Sequence, residues 1–335
     1  MSRENYATQY LTLLEKPDFW RLFIDGVRQS NGAQILDQFP QQELGYSEAQ
    51  LGHLRWVQRE PHSLVFLKNA AKALFTQYIN DHISLDLFKK IHSMAYPYKD
   101  HLRLTGDYLF SDEPRYFTIP TEIAEHATVL AQKISTTYQV NPPWKITISK
   151  NLSDLEALWT RDTIGMMFPK LQAEYEQNLS SAKTSDQKIS VIIEFLQTIE
   201  YIHPAHDGNN RVVCLLLNLA LMQNDLMPTI LFEPLGFETQ NVAQMLNSVK
   251  KGQISFERFQ KNLLPFDEAI PNEEIKQNLA DTFGTYKIKP LLEGNVDYEQ
   301  AKKYINHLTQ YVSNAKKHDP LDSVVTRYSP TMQYI

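Results

Sequence analysis

One cysteine, eleven glycines and no apolar run of membrane-spanning length set the first bounds on this 335-residue chain. A single thiol, Cys214, excludes an internal disulfide and suits a reducing compartment. It lies in an apolar stretch and reads as a small buried hydrophobe rather than a reactive group. That stretch, residues 212–222, is well short of the roughly 20 residues a bilayer helix needs and is broken by Asn218, so no membrane span is expected. The opening residues, Met1 to Asn5, lack the apolar segment of a secretory signal. Positive charge is not in excess either: 33 Lys and Arg stand against 39 Asp and Glu, for a net charge of −6 and an isoelectric point near 5.9. That balance gives no footprint for a nucleic-acid partner. There is no internal repeat and no low-complexity tract. The expected location is the cytoplasm, whether of the producing cell or of another into which the protein is exported.

What the chain has in quantity is helical periodicity. With 42% hydrophobic residues it can bury a substantial core, in one large domain or two modest ones. Apolar residues recur at spacings of three and four over 5–30, 47–60, 64–80, 84–95, 121–138, 153–178, 187–202, 211–225, 239–250, 254–262, 272–283 and 297–316. Strand signals are confined to 108–110, 116–119 and 145–148, the first pair separated by the turn-like Ser111-Asp112-Glu113-Pro114. Residues 178–188 read as a flexible polar connector. The fold class predicted is mainly α.

Between two of these apolar helices stands the polar run His203-Pro204-Ala205-His206-Asp207-Gly208-Asn209-Asn210-Arg211. A base candidate, a carboxylate, a glycine turn and an arginine thus share one short loop. If Gly208 turns the backbone and Arg211 opens the next helix, the N–H groups of Gly208, Asn209 and Asn210 converge at the positive end of the helix dipole. That is an anion site. Arg211 offers a planar fork for phosphate oxygens, Asp207 a hard oxygen ligand for Mg²⁺ on a polyphosphate, and His203 a general base for an attacking hydroxyl. The plainer alternative is a polar corner in which His203 is a hydrogen-bonded core histidine, Asp207 a cap and Gly208 a turn residue. Each residue alone favours that alternative, whereas their joint spacing favours the anion site.

The segment resembles the signature of Fic domains, H-P-F-x-D/E-G-N-G/K-R followed by x-x-R, which His203, Pro204, Asp207, Gly208, Asn209 and Arg211 match. Leu104-Thr105-Gly106-Asp107-Tyr108 and Arg115 to Pro120 resemble the family's β-hairpin flap, and 121–134 its next helix; the similarity spans roughly residues 80 to 235. The resemblance implies a helical bundle with one hairpin flap at 80–235, an N-terminal helical extension at 1–79 and a further helical region at 236–335. It implies a nucleotidyltransferase, similar to protein adenylyltransferases, that moves AMP from ATP, or a related phosphate-containing group from another nucleotide, onto a Ser, Thr or Tyr hydroxyl of a target protein. His203 would take the acceptor's proton, Asp207 hold Mg²⁺, and Gly208, Asn209, Asn210 and Arg211 seat the phosphates. Phe117 and Thr118 of the flap would align the target by strand addition.

Three positions depart from the pattern. Ala205 stands where the family has Phe, Asn210 where it has Gly or Lys, and Cys214 where the second arginine falls. These departures keep two alternatives open: transfer of a different group such as phosphocholine, or a degenerate domain that binds a nucleotide or a protein without chemistry. The family's inhibitory Ser/Thr-x-x-x-Glu-Gly/Asn helix has no counterpart, since Glu4 lies too near the start and Lys289 holds the place four before Glu293. Autoinhibition by that mechanism is not expected. Among the other histidines, His62, His92, His101 and His126 have no Cys or His at metal-ligand spacing and read as surface or capped-core residues.

Overall fold

The computed structural model describes residues 2–16, 18–23, 63–96, 115–141, 144–148, 152–157, 161–205, 208–232 and 236–266. The helices expected at 47–60, 272–283 and 297–316 and the strand expected at 108–110 lie outside them.

The architecture is mainly α, as the periodicity predicts. Helices α1 (Arg3–Leu14), α2 (Ser63–Gln77), α3 (Leu85–Ala95), α4 (Thr121–Tyr138), α5 (Arg161–Ser181), α6 (Ser185–Ile202), α7 (Asn209–Gln223), α8 (Gly236–Thr239) and α9 (Val242–Gln260) alternate with strands β1 (Arg115–Pro120), β2 (Trp144–Ile148) and β3 (Leu152–Ala157). At the centre lie α6 and α7, packed on each other, with α5, α8 and α9 against α6 and α1, α2 and α3 against α7. Nearly every residue from Ile192 to Ile202 and from Val212 to Met222 is buried. Helices this apolar on all sides belong inside a bundle, and each fully buried Leu, Ile or Val contributes about 1.5–3 kcal/mol.

The one polar interruption in α7 is satisfied where it stands. Asn218 accepts from the Thr229 backbone N–H at 2.7 Å and donates to the Cys214 carbonyl at 3.2 Å, which ties the segment after α7 back onto the helix. α1 is fastened to the same place: Arg3 donates to the Asn80 side chain at 2.7 Å and to the Gln223 carbonyl at 3.1 Å. Trp20 is buried against this core, its ring under the Arg21 guanidinium at 4.4 Å.

Several expectations differ from the structure in instructive ways. Residues 153–157, read as the start of a long helix, belong to β3, the central strand of an antiparallel sheet in the order β1-β3-β2. Leu152 and Leu155 have helical spacing, but pairing of β3 with strands on both sides, Phe117 opposite Leu155 and Thr118 opposite Asp154 among them, overrides local preference. The connector expected at 178–188 is mostly helix: α5 runs to Ser181 and α6 starts after Thr184, whose hydroxyl accepts from Gln187 N–H at 3.2 Å while the Gln187 side chain accepts from Thr184 N–H at 3.1 Å. This capping box is a helix start written in polar residues.

The break expected between 250 and 254 is also absent, and α9 runs through Gly252. Here glycine serves close approach: the Gly252 carbonyl accepts from Ile230 N–H at 3.0 Å, and a Cβ would lie 2.8 Å from the Ile230 oxygen. Among the described residues no helix is long and apolar enough to cross a membrane. We expect Gly252→Ala to destabilise the fold by about 1–3 kcal/mol through forced separation of α9 from residues 229–230; thermal denaturation would check this, and a gain in stability, as helix propensity alone predicts, would contradict the packing argument.

Candidate functional site

The loop between α6 and α7 is built from two left-handed turns and one side-chain staple. His203 ends α6 with φ 53° and ψ 61°, its N–H reaching the carbonyls of Ile199 and Glu200, both at 3.1 Å. Gly208 opens α7 with φ 79°, a conformation that suits glycine. Between them the Asn209 amide closes a ring on Ala205: Ala205 N–H donates to Asn209 Oδ1 at 2.8 Å, and Asn209 Nδ2 donates to the Ala205 carbonyl at 2.7 Å. Both residues are 1% exposed. The Asn209 side chain is therefore committed to holding the loop.

At the start of α7, the first-turn N–H groups project from the helix end, where the dipole favours negative charge. Asn210 and Arg211 are half-buried there. Cys214, one turn on, donates its thiol to Asn210 Oδ1 at 3.6 Å, so the position of the family's second arginine holds a neutral pair. The Arg211 guanidinium lies 4.9 Å from the centroid of the Tyr96 ring. Tyr96 also lies against Gly208, where a Cβ would come within 3.0 Å of its Cγ.

On the α6 side, the His203 side chain is 21% exposed, and its Nδ1 faces Glu200 Oε1 at 3.9 Å. Glu200 is 1% exposed, and burial, then the charge of and a hydrogen bond with Glu238, raise its pKa well above the ordinary carboxylate range. Glu238 comes from α8, which hangs on α6: Gln197 Nε2 donates to the Gln240 carbonyl at 2.7 Å and the Tyr201 hydroxyl to the Glu238 carbonyl at 3.3 Å. Burial, with Glu238 and Glu200 nearby, also pushes the Tyr201 hydroxyl upward.

Of the residues singled out in the sequence, His203, Gly208, Asn209, Asn210 and Arg211 lie together at the junction of α6 and α7. Asp207 and His206 lie outside the described residues. Phe117 and Thr118 are in β1, which among the described residues is an edge strand of the sheet and lies against α8. His92 is buried, stacked on Phe88 with ring centroids 6.2 Å apart. Two residues escaped sequence reasoning. Glu200 left a trace, a carboxylate in an apolar stretch three residues before His203; Tyr96 left none.

A segment of 89 residues is 30% identical to phosphocholine transferase AnkX of Legionella pneumophila subsp. pneumophila (strain Philadelphia 1), covering 26% of this chain and 9% of the length of that protein. No family model matches the chain. The similarity is thus confined to about a quarter of this chain and about a tenth of that protein.

The raised pKa of Glu200 makes a test of the site's electrostatics. Its folded pKa exceeds its unfolded value, so its contribution to stability is full below the ordinary Glu pKa of about 4.3 and is lost as pH rises through the folded pKa, because unfolding releases a carboxyl free to ionise. Glu200→Gln keeps the shape and removes the ionisation. Its melting temperature relative to the parent should rise with pH across that window, by roughly 2–4 °C per kcal/mol; a difference independent of pH would refute the upward shift.

Proposed function

We propose that this protein is a Fic-type transferase that moves a phosphate-containing group from a nucleotide donor onto a hydroxyl of a target protein. One observation carries the reading: a loop pinned by Asn209 on Ala205 holds His203 at one end and the α7 N-terminus, with Arg211, at the other. A base and an anion cradle fixed relative to each other are what group transfer to a hydroxyl requires, since rate in phosphoryl-type chemistry comes mainly from positioning and charge stabilisation.

In this reading the acceptor oxygen attacks phosphorus, its proton passes to His203, and the bond from phosphorus to the bridging anhydride oxygen breaks. The leaving group, inorganic diphosphate from ATP or a nucleoside monophosphate from a choline-bearing nucleotide, carries away the electron pair. The N–H groups opening α7 and the Arg211 fork face the charge that develops. A single carboxylate completed by phosphate oxygens is a usual Mg²⁺ donor set, so Asp207 would hold that ion, which supplies charge neutralisation on the donor. β1, at the sheet edge, would add the target as a further strand, which aligns its hydroxyl through backbone bonds and asks little of its sequence.

For the transferred group, two readings stand. AMP from ATP is the commoner use of the signature. Phosphocholine from a choline-bearing nucleotide is favoured by the similarity to a phosphocholine transferase and by the neutral Cys214–Asn210 pair, which leaves no arginine there for a terminal phosphate. Incubation with Mg²⁺, a cell lysate as acceptor source and either labelled ATP or labelled CDP-choline separates them, and absence of transfer from any nucleotide donor would favour a binding module instead. With the true donor, His203→Ala should lower transfer at least about 100-fold while donor affinity by calorimetry stays within a few-fold, since the imidazole acts on the acceptor. Parallel loss of binding and transfer would sink the general-base role.

A further inference from the structure

Tyr96 stands at the end of α3, eight residues past Phe88, and three rings climb that helix one turn at a time. Phe88 and His92 stack at 6.2 Å with planes 12° apart, and His92 meets Tyr96 at 5.9 Å with planes 48° apart. The Tyr96 backbone N–H donates to the His92 carbonyl at 2.8 Å, so the last ring is fixed by the helix end as well as by its neighbour. Phe88 and His92 are buried, which makes the stack a rigid mount.

What the mount presents is one ring against two elements of the anion site. Gly208 lies against it, and its missing Cβ leaves room for the ring: a methyl group there would stand 3.0 Å from Cγ and 3.1 Å from Cβ of Tyr96. The Arg211 guanidinium lies over the ring, 4.9 Å from the centroid. An arginine has several rotatable bonds, and ordering it on binding a phosphate costs conformational entropy. A ring face that already attracts the guanidinium removes part of that cost, and contact with Gly208 sets the height of the fork above the N–H groups of the same turn.

We propose that Tyr96 is the positioning residue of the donor site: its ring fixes the Arg211 fork over the Gly208 turn, so that the donor's diphosphate meets a cation and an N–H cradle already in register. This rests on the transferase reading above, and it adds a residue outside the signature that governs donor affinity. The attraction belongs to the ring face and not to the phenol hydroxyl. Tyr96→Phe therefore preserves it, Tyr96→Leu keeps apolar bulk but loses it, and 3,4,5-trifluorophenylalanine at position 96 keeps the ring's shape while depleting its face.

The experiment is calorimetric titration of the full chain with inorganic diphosphate in the presence of Mg²⁺, on the parent, Tyr96→Phe, Tyr96→Leu, Arg211→Ala, the double variant Tyr96→Leu/Arg211→Ala and the fluorinated variant. We expect Tyr96→Phe to bind within about twofold of the parent and Tyr96→Leu about tenfold more weakly, equivalent to about 1.4 kcal/mol. The double variant should be no weaker than Arg211→Ala alone, because Tyr96 acts through the guanidinium. Should Tyr96→Leu not fold, the fluorinated variant carries the test, with affinity at least threefold below Tyr96→Phe. Equal affinity of these two ring variants, or additive losses in the double variant, overturns the role of Tyr96 while the anion site stands. If the parent binds neither diphosphate nor a nucleotide donor, and Arg211→Ala matches it, the transferase reading falls and this proposal with it.

Discussion

The paired hydrogen bonds between the Asn209 amide and the backbone of Ala205 are the constraint on which the rest of this site depends. Two left-handed residues, His203 and Gly208, turn the chain between α6 and α7, and neither turn would hold its partner in place without a tie across the loop. The tie needs a group that donates and accepts at once, which an amide does and a carboxylate does not. Because both residues are buried, water cannot replace the bonds, and each group left unpaired would cost about 1–3 kcal/mol. The loop's departure at Ala205 acquires meaning here: where a large aromatic would anchor by bulk, a small buried residue is held by its backbone.

That tie is effective because its two ends are the two most deeply buried helices. α6 and α7 lose conformational freedom to a shared core, so the residues at their facing ends inherit fixed positions. The same helix α6 suspends α8 through Gln197 and Tyr201, and α8 in turn lies against β1. A short chain of contacts thus joins the His203 end of the loop to the sheet edge at which, in the proposed function, a target strand is added.

How much of this was legible beforehand follows from what local sequence encodes. Long apolar periodicity marked α6 and α7, and the polar nonamer between them marked the loop, because both signals are local. The capping box at Thr184 and Gln187 was equally local and was misread as a connector, since its polar residues resemble a linker. β3 was illegible for a different reason: residues 152–157 are a strand only because β1 and β2 flank them. Gly252 reads as a helix breaker in one dimension and as a contact surface in three. Tyr96 lies 107 residues before His203 and Glu238 lies 35 after it, and nothing adjacent to either signals the meeting.

Charge decides which donors such a site would suit. Arg211 is the sole charged residue of α7, and one turn beyond Asn210 the family's second cation is replaced by a thiol bonded to an amide. On the α6 side, burial and Glu238 raise the pKa of Glu200 well above the ordinary carboxylate range, which disfavours negative charge on that side of the loop. The cradle thus combines one guanidinium with helix-end dipoles, whose attraction falls off within the first turn. A cradle of that reach stabilises the phosphates lying directly over the α7 N-terminus and does little for one farther out. Of the two donors in the proposed function, a nucleoside diphosphate diester puts all of its phosphate charge over the cradle, while ATP extends a further charged phosphate toward the Cys214–Asn210 pair. In the proposed reading, loss of the second arginine therefore weakens ATP selectively, and the departures at 210 and 214 act together as a filter on the donor rather than as decay of the site.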